Sequence, residues 1–382
     1  MDAPATVSQA ARTAPAPGAT TPAMGITGGR RLEGIDVARA LAFGGMLLAH
    51  FAVSSRPNDP GWLQALGNAA DGRAAPLFAT LLGVGAGILV SRRSPDRVLV
   101  LRGLALFAIG LAVWPLFDRV YLILPHYGLL LAAVPVVRRV SSGGLLGGAA
   151  VAFLVPSVVT ALVDGHNLRG SPQPGRYGEL TEVGNLIGNI FWSGGYPLVG
   201  WAGFALLGLW LSRQALARRA VQVTMLVAGS AVAALQPLAA AVFDRLGGTH
   251  NASDATGWAA FFDGAAHSNA TAWYVIASGS AAAVIGGCLI VTPLFRTALR
   301  PVIALGQLAL TAYLAHIALG TAVVWDWEDV ERPPLAAQVW VVVLVFGAFA
   351  GVAFLWRLRW KRGPLEGLVR MVSSWPRPRP GP

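Results

Sequence analysis

Residues 34–53, GIDVARALAFGGMLLAHFAV, form an apolar segment of the length that crosses a lipid bilayer as an α-helix. Arg39 and His50 are eleven residues apart within it. That spacing covers roughly 16 Å of helical rise and about three turns, so both side chains lie on one side of the helix near opposite ends. Ionisable side chains within a membrane helix cost about 2.5 kcal/mol or more each and usually face the bundle interior. We therefore predict that Arg39 and His50 belong to a functional site.

The composition indicates a chain that is solvated mostly by lipid. Apolar residues make up 55% of its 382 residues and charged residues only 12%. We predict an all-α, polytopic integral membrane protein with about ten transmembrane helices. The predicted spans are approximately 35–54, 73–91, 98–117, 120–137, 144–163, 190–212, 221–243, 272–293, 302–323 and 336–356.

The placement of charge predicts the orientation of these spans. If the N-terminus is cytoplasmic, the tails and alternate loops, with the flanking helix ends, hold 22 of the 29 lysines and arginines. This bias obeys the positive-inside rule and predicts that both termini are cytoplasmic, in a multi-pass protein of the plasma membrane. The net charge of +11 is then explained by topology and by affinity for anionic lipid, so no nucleic-acid partner is expected.

Both ends of the chain are predicted to be disordered. Residues 1–29 are rich in alanine, proline, threonine and glycine, and we interpret them as a cytoplasmic tail rather than a signal peptide. Residues 371–382 form a second tail, which leaves residues 30–370 as a single transmembrane helical domain. The lone cysteine, Cys288, lies within the eighth span, where we expect it to pack in the interior.

Histidines are the candidate catalytic residues. His50 lies near the outer end of the first span, His126 begins the fourth, and His316 shares a helix face with Tyr313 in the ninth. All six histidines fall in the outer half of the predicted topology. Because the unperturbed pKa of histidine is near neutral pH, an imidazole can take a proton from a hydroxyl or amine and return it. The alternative is that these are structural histidines at helix ends. No metal is predicted, since no helix carries two histidines at close spacing.

Charged residues at the cytoplasmic ends are candidates for binding an anionic ligand. Asp36 and Arg39, three residues apart, can form an ion pair near the cytoplasmic mouth. Arg92 and Arg93 follow the second span and could bind phosphate groups through charge-assisted hydrogen bonds. The alternative is that these arginines only set the topology. Ala79, Gly83 and Gly87 recur every four residues, a spacing that lets a second helix approach, either within the monomer or in a homodimer.

Several segments resemble known membrane families. GRRLEGIDVARALAFGGMLLAHF (29–51) and DGRAAPLFATLLGVGAGI (71–88) resemble the first two helices of the transmembrane acyltransferases, which include heparan-alpha-glucosaminide N-acetyltransferase. The first also has the spacing of a basic residue and a histidine seen in the acyltransferase-3 group. The C-terminal half resembles the YeiB-like bacterial membrane family of unknown function. The segments that carry this second resemblance are GYPLVGWAGFALLGLWLSR, HSNATAWYVIASGSAAAVIGGCLIV, GQLALTAYLAHIAL and RGPLEGLVR.

These resemblances imply an acyltransferase-like part over about 30–165 and a YeiB-like part over about 190–370. They imply transfer of an acyl group, such as acetyl, from cytosolic acyl-CoA (acetyl-CoA) to a hydroxyl or amine of an outward-facing glycan or envelope molecule. Arg39 would lie near the path of the anionic donor, and His50 would act on the acceptor or the thioester. The loop SSRPNDPGWLQALGNAAD after the first helix departs from the enzyme, because it has no histidine at the place of the catalytic one.

Two other classes of function are also compatible with the sequence. Glycine- and proline-interrupted helices with charges inside the membrane are also typical of a transporter with a polar site at the midplane. Such a carrier would move substrate across sealed vesicles without consuming coenzyme A. A noncatalytic membrane partner or sensor would show neither activity and would form a stable complex instead.

Overall fold

The structure is a computed structural model that describes residues 31–51, 60–63, 67, 71–116, 122–162, 187–193, 195–248, 257–320 and 333–374. Within those ranges the regular elements are helical, as the composition predicts. The predicted N-terminal tail, 1–29, lies outside the described residues.

The helices follow the apolar segments of the sequence closely, and each of the ten predicted spans corresponds to a helix or to a pair of helices. The first seven are α1 (Glu33–Phe51), α2 (Ala74–Ser91), α3 (Asp96–Val113), α4 (Leu124–Val137), α5 (Ser142–Leu162), α6 (Leu198–Ser212) and α7 (Arg219–Ala233). The rest are α8 (Gln236–Arg245), α9 (Ala259–Phe262), α10 (Thr271–Val291), α11 (Arg300–Gln307), α12 (Ala309–Leu319), α13 (Leu335–Arg359) and α14 (Pro364–Ser373). A 3₁₀ turn follows α3 at Trp114–Leu116, and a π-helical turn, Asn189–Ser193, precedes α6.

Six of the described helical segments are long and apolar enough to cross a bilayer. They are α1, α2, α5, the segment Arg219–Arg245 that joins α7 and α8, α10 and α13. The bent pair α11–α12 would be a seventh, while α4 and α6 are shorter apolar helices. The described part of the chain is therefore all-helical and has several helices that could span a membrane; the multi-pass topology, the full number of ten spans and the cytoplasmic position of the termini stay predictions.

The ninth predicted span is broken. We expected one continuous helix over 302–323, but α11 and α12 meet at an angle of 85°. The break is at Leu308, whose backbone leaves the helical conformation (φ −110°, ψ 25°). Just before it, Gly306 packs directly on the backbone of α1, where a Cβ atom would lie 1.7 Å from the carbonyl oxygen of Asp36. The expectation of a continuous helix is wrong because this close crossing directs the chain away from the axis of α11.

The small-residue stripe of α2 packs against α6. A Cβ atom on Gly83 would lie 2.1 Å from the carbonyl oxygen of Ala205, and one on Gly208 would lie 2.0 Å from that of Thr80. The two backbones are therefore in direct contact. The predicted close approach along Gly83 is confirmed inside the monomer, and the homodimer stays a prediction.

Helix α1 occupies a central position and packs against α2, α10, α11, α12 and α13. The last helix, α14, packs against α3 and α12 and ends at Ser373, three residues beyond the domain boundary of 370 that the sequence suggested. This arrangement places the N-terminal helix between the two halves of the chain.

Candidate active site

A cavity of about 650 Å³ lies between α1, α2, α3, α4, the α11–α12 break and α14. Its walls are mostly apolar, with Met46, Phe78 and Tyr127 among the lining side chains. Six charged side chains also line it: Arg31, Asp36, Arg39, Arg92, Arg102 and Glu366. With four guanidinium groups and two carboxylates, the cavity is suited to an anionic ligand that has an apolar portion.

The Asp36 carboxylate holds two of these guanidinium groups. Asp36 is fully buried, and its Oδ2 and Oδ1 accept hydrogen bonds from Arg31 Nε at 2.6 Å and Arg31 Nη2 at 2.8 Å. Arg39 Nη1 donates to Oδ1 at 2.8 Å, which confirms the predicted pairing on α1. The hydrogen bonds to Asp36 raise the pKa of Arg31. Asp36 thus fixes the positions of two cations, and the arginines present the donors to a ligand.

The two adjacent arginines after α2 differ in position. Both are exposed, but Arg92 lines the cavity, whereas Arg93 has a left-handed backbone (φ 54°) and lies outside the cavity lining. Arg102 of α3 also lines the cavity, and its Nε donates a hydrogen bond to Ser373 Oγ of α14 at 3.4 Å. The structure therefore brings together Arg39, Asp36 and Arg92 of the predicted ligand-binding residues and leaves Arg93 apart.

His50 and His316 form a hydrogen-bonded pair just outside the cavity lining. His50 Nδ1 lies 3.0 Å from His316 Nε2, and the rings are nearly parallel with centroids 5.2 Å apart. In the neutral pair each imidazole carries one N–H, and one of these two N–H groups donates the hydrogen bond between the rings. The rings of Phe43 and Phe51 pack nearly perpendicular to that of His316, which is fully buried. Bulk water is therefore excluded from the His316 side chain.

Met46 and Tyr313 connect the cavity to the histidine pair. Both line the cavity, and they precede His50 and His316 by one helical turn on α1 and α12. The ring of Tyr313 is 5.6 Å from that of His316. A ligand that fills the cavity therefore reaches within one turn of the two imidazoles.

His126 lies in a neighbouring aromatic cluster rather than in the pair. It is fully buried, its ring is 5.9 Å from that of Tyr196, and Tyr196 is 6.2 Å from His267. Neither ring nitrogen of His126 has a hydrogen-bond partner among the described residues. His126 is thus a buried imidazole beside the site that does not line the cavity.

The loop before α10 contributes groups that the sequence analysis did not select. His267 and Asn269 both have left-handed backbones (φ 60° and 54°), a strained conformation typical of functional sites. Asn269 Oδ1 accepts hydrogen bonds from Trp201 Nε1 at 3.2 Å and from Tyr274 Oη at 3.1 Å. The polar run His-Ser-Asn directly before an apolar helix is the signal in the sequence that could have identified this loop.

His267 links this loop to the histidine pair. It interacts electrostatically with His50, and its ring is 5.9 Å from that of Trp273. Its ring is exposed at one side, yet the dense surrounding protein desolvates it and lowers its pKa, an effect that the nearby Asp71 opposes. Arg73 Nη1 and Trp273 Nε1 are buried here without a partner in the described structure. These unused donors belong to side chains outside the cavity lining.

The described residues contain no group of three His, Cys, Asp or Glu side chains arranged to hold a metal ion. The chemistry that the visible side chains themselves offer is proton transfer and hydrogen bonding.

Residues 31–241, more than half of the chain, match the family model described as heparan-alpha-glucosaminide N-acetyltransferase, catalytic. The chain belongs to this family. Residues 209–376 match a second model, described as a protein of unknown function (DUF418), which corresponds to the YeiB-like resemblance of the C-terminal half. No curated protein matches the chain.

The candidate site combines both matched regions. The heparan-alpha-glucosaminide N-acetyltransferase region supplies His50, Arg39 and Arg92. The region of unknown function supplies His316 and Glu366. The family match makes the protein a member of a membrane acetyltransferase family. The candidate site is built from side chains of both halves of the chain.

Proposed function

We propose that the protein transfers an acyl group, most simply acetyl, from acyl-CoA to a hydroxyl or amine of an acceptor on the opposite side of the membrane. In this reaction the C–S bond of the thioester breaks and a C–O or C–N bond to the acceptor forms. The proton lost by the acceptor ends on the thiol of coenzyme A. The observation that carries the proposal is the arginine-lined cavity that ends one helical turn from the His50–His316 pair.

The cavity supports the donor part of the proposal. Coenzyme A carries phosphate groups at one end and an uncharged pantetheine arm at the other. Arg31, Arg39, Arg92 and Arg102 would bind phosphate oxygens through charge-assisted hydrogen bonds, while the apolar wall around Phe78 would accept the arm. The thioester would then lie toward Met46 and Tyr313, near the imidazoles.

The histidine pair supports the proton-transfer part. His50 would act as general base and take the proton of the acceptor as it attacks the thioester carbonyl. The hydrogen bond to His316 would disperse the positive charge that this proton creates, and the same proton would then be returned to the departing thiolate. Tyr313, beside His316, and His126, buried in the neighbouring aromatic cluster, are the supporting candidates.

The acceptor part rests on the unused polar atoms beyond the pair. His126, Trp273 Nε1 and Arg73 Nη1 offer donors and acceptors among aromatic rings, an environment that suits a hydroxyl-rich molecule such as a glycan. The outward orientation of this side follows from the predicted topology and is part of the proposal.

The test is binding of acetyl-CoA to the purified protein in lipid nanodiscs, followed by acyl transfer to a panel of amino sugars and polyols. We expect saturable binding that Arg39→Ala weakens and His50→Ala leaves largely intact. Absence of binding to folded wild-type protein would contradict the proposal. Binding without transfer to any acceptor would retain the donor site and remove the assignment of His50.

One observation favours a second candidate, a small-molecule transporter. The α11–α12 break resembles the discontinuous helices that form substrate sites in carriers. Flux of a solute across sealed proteoliposomes without consumption of acetyl-CoA would favour this function over acyl transfer.

A further inference from the structure

The N-termini of α12 and α14 cap each other. The first N–H groups of any helix lack partners within the helix, and a side-chain oxygen usually accepts from the second or third of them. Neither helix has such a side chain at its own N-cap position, where Leu308 and Gly363 stand. Each helix obtains its cap from the other.

Glu366 of α14 provides the cap for α12. Its Oε1 accepts hydrogen bonds from the backbone N–H of Leu310 at 2.9 Å and of Thr311 at 3.1 Å. Its Oε2 accepts from Thr311 Oγ1 at 2.6 Å. A carboxylate at this end of a helix is also stabilised by the helix dipole.

Thr311 of α12 provides the cap for α14 in return. Its Oγ1 accepts a hydrogen bond from the backbone N–H of Leu365 at 3.2 Å. A Cβ atom on Gly363 would lie 2.1 Å from Glu366 Oε2 and 2.9 Å from Thr311 Oγ1, so a larger residue there would displace the side chains of the mutual cap. The segment RGPLEGLVR, which carries part of the sequence resemblance, is thus the half of the mutual cap that α14 contributes.

The mutual cap replaces the helical turn that the break removes. In a continuous helix, α11 would supply the carbonyl partners for the first N–H groups of α12. The 85° bend directs α11 elsewhere, so the Glu366 carboxylate is what holds these groups. Tyr313 and His316 follow on the same short helix, with His316 six residues, or roughly 9 Å, from Leu310.

The geometry points to Glu366 as a positioning residue for the reaction, which fixes α12 so that His316 stays in hydrogen-bond contact with His50. The role of Glu366 in the reaction rests on the proposed function. Its role in fixing the position of α12 does not. Glu366 touches neither imidazole; it acts through the helix that carries one of them. It also lines the cavity, so the occupant of the cavity lies against the cap.

The first experiment measures geometry without any substrate. Spin labels at Leu41 on α1 and Leu319 on α12, both exposed, would report the distance between these helices in nanodiscs, in a Cys288→Ser background. We expect Glu366→Ala to shift or broaden the distance distribution and Glu366→Gln, which keeps an acceptor oxygen, to retain most of the wild-type distribution. An unchanged distribution for folded Glu366→Ala would overturn the inference, whether or not acyl transfer occurs.

The second experiment measures turnover. If a displacement of about 1 Å at the reacting groups costs about 100-fold in rate, Glu366→Ala should lower kcat by about that factor with a much smaller change in the KM for acetyl-CoA, and Glu366→Gln should recover most of it. A purely structural role would lower the yield of folded protein and leave kcat per folded molecule unchanged, which would overturn the inference. If wild type shows no transfer, the proposed function fails while the distance measurement still decides the role of Glu366.

Two further variants keep the test decisive. Glu33→Ala is the matched control, because Glu33 also binds through both carboxylate oxygens, to Arg296 at 2.6 and 2.8 Å, on a surface outside the cavity. It should alter neither the distances nor kcat. If Glu366→Ala does not fold, Thr311→Val removes one hydrogen bond in each direction at nearly constant volume and should give a smaller effect of the same kind; wild-type distances and kcat in Thr311→Val would then overturn the inference.

Discussion

His50 Nδ1 and His316 Nε2 are 3.0 Å apart, although 266 residues separate them along the chain. An imidazole pair with one shared hydrogen bond can take up a proton and spread its charge over two rings. The position of the pair beside an arginine-lined cavity is what makes acyl transfer the best-supported function.

Loss of either imidazole should impair turnover. We expect His50→Ala and His316→Ala each to lower kcat by about 100- to 10,000-fold, the usual contribution of a positioned general base and its partner. The double variant should be little worse than the single ones, because the two rings act together. Cys288→Ser, a conservative change at a buried residue outside the cavity lining, is the control. Additive losses in the double variant would argue that the rings work independently.

Neighbouring arginines should behave differently toward the donor. Arg92→Gln should weaken acetyl-CoA binding by about tenfold, the effect of losing one charge-assisted hydrogen bond to a phosphate. Arg93→Gln carries the same change in charge one residue away but outside the cavity lining, and should bind normally. Calorimetry in nanodiscs would measure both. Equal weakening by the two variants would indicate a general effect of positive charge instead of a defined contact.

Asp36→Asn should destabilise the fold. The amide removes the charge that holds Arg31 and Arg39, which leaves Arg39 three-quarters buried without its partner. We expect a loss of about 2 kcal/mol, less than for a fully buried ion pair because Arg31 reaches solvent. Asp96→Asn breaks the half-exposed pair with Arg138 and should cost about 0.5 kcal/mol or less. Unfolding by SDS titration would compare them, and similar losses would contradict the anchoring role of Asp36.

Gly83→Ala should disrupt the α2–α6 contact. Its new methyl group would overlap the carbonyl oxygen of Ala205, so the two helices must move apart at a cost of about 1–3 kcal/mol. Gly147 on α5 has open space around it, and Gly147→Ala should be neutral or slightly stabilising. The same SDS titration measures both free energies of unfolding. A tolerated Gly83→Ala would mean that this crossing is looser than described.

Acid should weaken the fold through His267. Because the pKa of His267 is lowered in the folded protein, the unfolded chain binds its proton first as the pH falls below about 6.5. Its contribution to stability is therefore complete above that pH and is lost as the pH falls toward the folded pKa. The effect should be small, since one side of the ring is exposed. Melting temperatures between pH 7.5 and 5 should fall less in His267→Gln than in wild type.

The sequence predicted the parts of the site that depend on local spacing. Helical periodicity placed Arg39 and His50 on one face of α1, and the three-residue spacing predicted the Asp36–Arg39 pair. The recurrence of Ala79, Gly83 and Gly87 every four residues predicted a close helix contact, because a stripe of small residues lets any neighbouring helix approach.

Features that depend on contacts between distant segments could not be predicted. The segment around Leu308 is apolar and contains no proline, so its composition predicts a straight helix; the bend follows from the crossing of Gly306 over α1. The role of Glu366 was equally hidden, since its partner Thr311 is 55 residues away. Arg92 and Arg93 are adjacent residues of the same type, so the sequence could not predict which of them lines the cavity. The turn that follows α2 is what separates their positions.

The long sequence separation of the histidine pair has a consequence for how the protein is made. At typical elongation rates the ribosome needs roughly 10–50 s to synthesise the 266 residues from His50 to His316. During that time α1 must be stable in the membrane with its imidazole unpaired, and the Asp36–Arg39 bridge, formed within a single turn, is available to it from the start. A nascent chain interrupted before α12 would therefore insert as a helical protein in which His50 has no imidazole partner. The His50–His316 pair can form only after α12 has been synthesised, late in the production of the chain.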